Sequence, residues 1–470
     1  MFFIGIFLVS SSNVGGLSTE ETIDTIDDID PLVDIEVTVD IISIRTLNDS
    51  EFCNNTDFFV KVFINSEEYS SPVWDDSPYL YDIHWIATAN VPDDIEQVNI
   101  TIELYDTAMF GANINTHSSN TDLIYNIKTG HWTGDDYIGD SSGYGRLNSC
   151  DVENIYCDYE LWFKINQTDF DGDGVPYWTE INNYETDPKY DNTGEDLDGD
   201  LLPIEWEYTW MFNPNIWENH SQLDIDEDSL TNIEEYYMSA WDSDPYRRDL
   251  YVEMDVMETG PLGQNSTVPS HSKELLRTAY DRNNIVYHLD DGCMGGGGEK
   301  IPFDQSTDRQ ELRNIYTSYF LHNDSENWRR SVFRYATIIF NQTVAAAVAY
   351  VGEHPWLYWH IHGINTFAIS AQSMQKTSQK NSKPLDFIFS CAMMHETGHT
   401  FGIDFMFPVG CDNILTSRPY HVAYWFFGNY KSCMNYRYTY SILDYSDGSH
   451  GLFDYDDWSG LDFSFFEKNW

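Results

Sequence analysis

The chain is poor in positive charge. Its 470 residues carry 24 Lys+Arg against 78 Asp+Glu, a formal net charge of −54. So acidic a surface repels nucleic acid and anionic membranes, and neither is expected as a partner. It also repels itself, so cations are needed for stability; bound calcium and a saline habitat both answer that need. Long apolar runs are missing too. Met1–Val9 is apolar but far short of the roughly 20 residues that cross a bilayer, and no later run reaches that length, so no transmembrane anchor is expected. With the small, polar SSSNVGG that follows, residues 1–17 read as an export signal without a basic start. The seven cysteines (Cys53, Cys150, Cys157, Cys293, Cys391, Cys411, Cys433) include no CxxC pair, which excludes zinc knuckles and a dithiol redox site and favours disulfides. Disorder is excluded as well, because 41% of residues are hydrophobic and 16% aromatic. A multidomain, secreted protein is expected.

After an acidic linker at 18–30, residues 31–167 carry period-two segments. Ile35, Val37, Val39 and Ile41 alternate with polar neighbours. Phe58 to Ile64, Val98 to Leu104, and Tyr159 to Ile165 follow the same period. Turn-rich loops separate them with no helical pattern between, which predicts an antiparallel β-sandwich. The phrases DFFVKVFIN and VNITIELYD resemble a C2-type domain, whose loops would place Asp57 and Asp106 near calcium; as loop residues both also read as solvated acids. Asn99 falls on the outward face, within one of several N-x-S/T sequons.

Residues 168–246 repeat. Asp169, Asp171, Asp173, Gly174 and Glu180 fit D-x-D-x-D-G-x₅-E, in which alternate carboxylates wrap Ca²⁺ and a twelfth-position glutamate closes the shell. The pattern recurs at Asp196, Asp198, Asp200 and Glu207, and again at Asp224, Asp226, Asp228 and Glu235. Leu201 and Ser229 stand where the first copy has its glycine, which predicts strained loops. The tract resembles thrombospondin type 3 and dockerin modules, which implies a calcium-stiffened extracellular spacer.

A third region, 247–470, holds the chemistry. Asp249–Val256 and Ile285–Leu289 read as strands, and Ser270–Arg282 as a helix with a serine cap. Cys293 to Gly298 is glycine-rich but lacks a GK[ST] continuation, so it reads as a flexible loop. His360 and His362 read as cleft-side histidines, Thr366–Ser370 as an edge strand for a peptide, and Asp444 to Asp457 as acidic turns. In His395-Glu396-Thr397-Gly398-His399, two histidines four residues apart share one helical face and can bind one Zn²⁺. Glu396 is then placed as general base.

Gly402 follows three residues after His399, and Ser432-Cys433-Met434-Asn435-Tyr436 about thirty residues later. Together these resemble the metzincin zinc proteases, and Cys411 and Cys433, which bracket the intervening segment, resemble its pappalysin-like branch. The resemblance implies an α+β catalytic domain, a helix ending at Gly402, Met434 in a turn beneath the metal, and Tyr436 beside it as in astacin-like members. It also implies a third zinc ligand after the glycine. Phe405 occupies the position where the family pattern puts it; Asp404, one residue earlier, is the assignment made here, with Asp412 and His421 as the other candidates. Cys411 with Cys433, and two of Cys53, Cys150 and Cys157, are the expected disulfides; the odd count leaves at least one free thiol, expected at Cys391. The resulting expectation is a calcium-stabilised zinc endopeptidase acting on proteins or peptides, with association to a cell surface or matrix. The alternative is an inactive calcium-dependent adhesion protein built on a degenerate protease scaffold.

Overall fold

The computed structural model describes residues 34–46, 56–106, 119–138, 143–148, 159–343, 345–353, 363–403 and 408–467. The expected signal and linker, Cys53, Cys150, Cys157, His360, His362 and Asp404 lie outside the described residues. No described helix is long and apolar enough to cross a membrane. The chain forms two compact units, 1–191 and 192–470, so the unit boundary falls inside the acidic repeat tract.

The first unit is an antiparallel β-sandwich. In one sheet Ile35–Thr46 lies between Tyr159–Gln167 and Trp85–Val91, with Gly145–Asn148 beyond Tyr159–Gln167. In the other, Gln97–Asp106 lies between Phe58–Ile64 and Ser119–Asn126. The period-two apolar residues of the four segments are all buried in one shared core, and Asn99 faces outward. Such patterning produces this because successive side chains of a strand point to opposite faces. Asp57 and Asp106 are tied into the protein: Asp106 accepts from the Asp57 N–H (3.0 Å) and the Tyr159 hydroxyl (2.7 Å), and Asp57 accepts from the Asp76 N–H (2.8 Å). Tyr177 and Trp178, just after the first acidic loop, complete the sandwich core.

The second unit centres on a mixed sheet ordered Ile285–Asp290, Arg248–Met257, Arg334–Ile339, Thr366–Ser370, Ala347–Tyr350. All its neighbours run parallel except the last pair. Arg248–Met257 alternates in sequence, yet nearly all of it is buried. The polar side chains find partners inside: Glu253 pairs with Arg329, Asp255 accepts from the Tyr335 hydroxyl (2.8 Å), and Asp249 meets His288 (2.6 Å). Ser270 precedes helix His271–Asp281 but makes no side-chain cap bond, because its own backbone is already helical (φ −58°, ψ −40°).

The glycine-rich loop differs from its expected flexible character. Backbone N–H groups of Gly292, Met294, Gly296 and Gly297 all donate to the Asp290 carboxylate, which also pairs with Arg329. A Cβ at Gly297 would overlap the Asp290 carbonyl oxygen, so the loop is wrapped tightly around this one acid. The late acidic turns are also anchored: Asp457 accepts from the Tyr430 hydroxyl (2.9 Å), and Asp454 from the Ser446 hydroxyl (2.6 Å).

Candidate metal centre and acidic loops

Helix Leu385–Thr400 carries the HExxH motif and starts directly after Pro384. From Ile388 to Thr400 it is buried on all sides. It stops at Gly402, whose φ of +85° is the left-handed conformation that glycine tolerates. The Ile403 N–H returns to the Gly398 carbonyl and the Gly402 N–H to that of His399, a Schellman ending. That ending has a chemical consequence, because it aims the Ile403 carbonyl at His399 Nδ1 (2.7 Å). His395 Nδ1 meets the Cys433 carbonyl at 2.8 Å. A carbonyl only accepts, so each ring carries its proton on Nδ1 and presents a lone pair at Nε2.

Both Nε2 atoms face one carboxylate. Asp412 Oδ1 lies 3.3 Å from His395 Nε2, and Oδ2 lies 3.1 Å from His399 Nε2. Two imidazole lone pairs and an ionised carboxylate repel one another unless a cation lies among them. The donor set of two imidazole nitrogens and one carboxylate oxygen suits zinc. The Asp412 backbone turns with φ +34°, and the Asn413 N–H donates to the Cys411 carbonyl across it. His421, another sequence candidate, is exposed at the start of helix Val422–Phe426.

Without metal, protons would have to do the cation's work. Burial opposes charge on His395, but the Asp412 carboxylate overrides it and raises the imidazole to about 9. Burial likewise works against ionised Asp412, yet His395 and His399 hold it far below the usual carboxylate range. Glu396, buried beside them, is raised by that burial, with the two imidazoles pulling the other way. The Tyr436 ring stacks 6.1 Å from His395 and is 45% exposed, so it reaches from the centre toward solvent. Beneath the helix, the Met434 sulfur lies 2.5 Å from where a Cβ at Gly398 would be. Cys433 keeps a free thiol, so the expected link to Cys411 is not formed, although both are fully buried in one core cluster. Cys391 is a buried free thiol, as expected.

A cleft of about 790 Å³ opens over the centre. His395, Glu396, His399, Asp412 and Tyr436 line it, together with Ala345–Ala349. The sheet order corrects one expectation. Thr366–Ser370 is paired on both sides, and the outer, antiparallel strand beside the cleft is Ala347–Tyr350.

The three acidic loops share one geometry. Asp169 accepts N–H bonds from Gly172 and Gly174, Asp196 from Gly199, Asp200 and Leu201, and Asp224 from Glu227, Asp228 and Ser229. Gly174, Leu201 and Ser229 have φ of +93°, +87° and +81°, so the two substituted copies adopt the conformation that only glycine takes without strain. Inside the loops, both carboxylate oxygens of Asp171, Asp198 and Glu207 are buried without a hydrogen bond, as are one each of Glu180, Asp226 and Glu235. Burial, then neighbouring aspartates, raises Glu207 to about 9; burial raises Glu180 to about 8. Orphaned acceptors ringed by acids suit a hard cation such as calcium.

Sequence reasoning missed what surrounds the second and third loops. His220 Nε2 approaches Asp200 at 3.0 Å, and the Asn232 amide holds the other ring nitrogen at 2.9 Å. Asp228 accepts from the Asp249 N–H at 2.7 Å, and the Ser243 hydroxyl stands between the Glu235 and Asp249 carboxylates. The third loop is thereby joined to the first strand of the sheet. No local motif marks Ser243, Asp249 or His288 for this role.

No protein-family model matches the chain, and no curated protein matches it. Among solved structures, the N-terminal sandwich is similar to C2 domains. One C2 domain of a plant extended synaptotagmin matches 29% of this chain and 96% of its own, at 14% identity and TM-score 0.20. A C2 domain-containing protein from a putative elicitor-responsive gene matches 28% of this chain and 86% of its own, at 14% identity and TM-score 0.19. A further C2 domain matches 28% of this chain and 98% of its own, at 13% identity and TM-score 0.18. Likeness at this level carries no functional argument, and the sandwich rests on its own strand pairing.

Proposed function

We propose that this chain is a secreted zinc-dependent endopeptidase stabilised by calcium. One observation carries the reading: His395, His399 and Asp412 converge within 3.3 Å, next to the buried Glu396, in the floor of a peptide-sized cleft. His395, His399 and Asp412 would hold the zinc. Bound there, the ion supplies polarisation of the scissile carbonyl and a water acidic enough to lose its proton near neutrality. Glu396 takes that proton and passes it to the leaving amine, a task suited to a carboxyl raised by burial. The Tyr436 hydroxyl donates to the developing oxyanion. Ala347–Tyr350 offers an outer strand edge for backbone hydrogen bonds to an extended peptide. Calcium in the three acidic loops neutralises part of the charge of −54.

The test is zinc per chain after exhaustive dialysis with calcium present, alongside hydrolysis of an unstructured protein. One zinc and peptide-bond cleavage in the wild type, both lost in Asp412→Ala, are expected. Tight zinc that survives Asp412→Ala would return Asp404 as third ligand. A wild type without zinc would overturn the peptidase reading in favour of the adhesion protein.

A further inference from the structure

The cleft is an island of positive charge on an acidic protein. The whole chain has 24 Lys+Arg and 78 Asp+Glu, yet outside Glu396 and Asp412 the cleft lining includes Lys380, Lys383 and Arg437 and no carboxylate. A lining drawn at random from this composition would carry several acids and about one cation. Among the described residues, none of the three cations has a carboxylate partner within ion-pair distance.

Two of these cations are held in place. The Lys383 ammonium donates to the Ser441 carbonyl (3.4 Å) and sits 4.6 Å over the Phe387 ring. Arg437 donates one guanidinium N–H to the Tyr424 carbonyl (2.7 Å) and lies 3.8 Å over the Tyr424 ring. Rings and carbonyls orient these cations but do not neutralise them, and each keeps donors unspent. Lys380, in the last turn of helix Ala371–Asn381, is exposed and also suits the helix C-terminus. Counter-ions screen the distant surface acids beyond about 8–10 Å, so groups inside the cleft dominate there.

We infer that Lys383 and Arg437 select substrates by a carboxylate, so that the cleft prefers peptides with an acidic group beside the scissile bond. The inference rests on the peptidase reading for the word substrate, but the charge preference itself is a property of the cleft. Two sources share this chemistry, an Asp or Glu side chain and a free chain end, and the side chain is the one proposed. An endopeptidase cleft passes long chains whose ends lie elsewhere.

The experiment compares matched peptides that differ by Glu against Gln at each position flanking the cut, each with a free or an amidated C-terminus. kcat/KM is measured on the zinc- and calcium-loaded wild type. Binding is measured by fluorescence anisotropy on Glu396→Gln, which holds peptides without turnover. The expected result is a preference for the Glu peptide on the order of tenfold in both measurements, unaffected by amidation. It should fall toward unity in Lys383→Gln and in Arg437→Gln, and return in Lys383→Arg. Should Arg437→Gln fold poorly, the two changes at the partly exposed Lys383 still decide the matter. Equal handling of Glu and Gln peptides overturns the inference and leaves the peptidase reading intact. A preference abolished by amidation reassigns the cations to chain ends and overturns the side-chain assignment. Cleavage of no peptide at all overturns the peptidase reading, and the binding comparison then decides the charge preference alone.

Discussion

The Met434 sulfur fills the space in which a side chain at Gly398 would begin, 2.5 Å from the ideal Cβ position. The glycine inside HETGH is thus a packing requirement, set by a residue far along the chain. Gly398→Ala must push Met434 aside or bend the helix between the two histidines. Overpacking of this kind costs about 1–3 kcal/mol. The substitution should lower the thermal midpoint and weaken zinc retention in parallel, as read by calorimetry and metal analysis. Gly398→Ala together with Met434→Ala should recover much of the midpoint, because the second change vacates the contested space.

In the proposed mechanism Glu396 takes part in proton transfer without belonging to the residues that would hold zinc. Glu396→Gln preserves shape and removes the base. It should keep one zinc per chain while turnover falls by about 10²–10⁴-fold. Undiminished hydrolysis would remove Glu396 from the proposed mechanism.

The metal-free centre has a pH signature. His395 is raised to about 9 by Asp412, above the ordinary histidine value of 6.5. Its contribution is therefore complete below pH 6.5 and is lost as pH rises through about 9. Asp412 is depressed, so its contribution is present above the ordinary aspartate value of 3.8 and lost only in strong acid. The zinc-free protein should lose thermal stability from pH 6.5 to about 9, with calcium held constant. The gain on adding zinc should widen over the same range. A gain that shrinks with pH would contradict the His–Asp arrangement.

Calcium should displace protons. Burial and the neighbouring Asp200, Asp198 and Asp196 raise Glu207 to about 9, and burial raises Glu180 to about 8. Near neutral pH both carry a proton in the metal-free loops and must release it to ligate. Titration calorimetry in two buffers of different ionisation enthalpy should reveal proton release on calcium addition. Glu207→Gln should reduce both the released protons and the calcium bound. Because Asp228 also holds the Asp249 N–H, Glu235→Gln in the third loop should lower the stability of the 192–470 unit further than Glu207→Gln does.

What could be read from the sequence depended on how far apart the cooperating residues stand. The His395–Glu396–His399 spacing fits one turn of helix, the sandwich strands alternate with period two, and the loop acids repeat within twelve residues. Each is local geometry imposed by a regular backbone, so it is legible without a fold. Gly402 belongs here too, because a left-handed helix ending asks for glycine wherever the chain goes next.

Asp412 meets the two imidazoles from an irregular turn at 408–413, where the Cys411 N–H donates to the Pro408 carbonyl, and irregular turns leave no period in the sequence. The edge assignment failed for a related reason. Strand order is set by how crossovers pack on the sheet, and here Ala347–Tyr350 folds back to pair outside the later strand Thr366–Ser370. The alternation of Arg248–Met257 marked partners rather than solvent, since its acids meet Arg329, Tyr335 and His288 from other elements. Lys383 and Arg437 stood as two unremarkable basic residues until folding set both in one cleft. The sequence by itself determined the elements, the HExxH spacing and the repeated acidic loops. Tertiary structure alone decided which carboxylate faces the histidines, which strand edge borders the cleft and which charges line it, because those depend on contacts between residues that no local spacing connects.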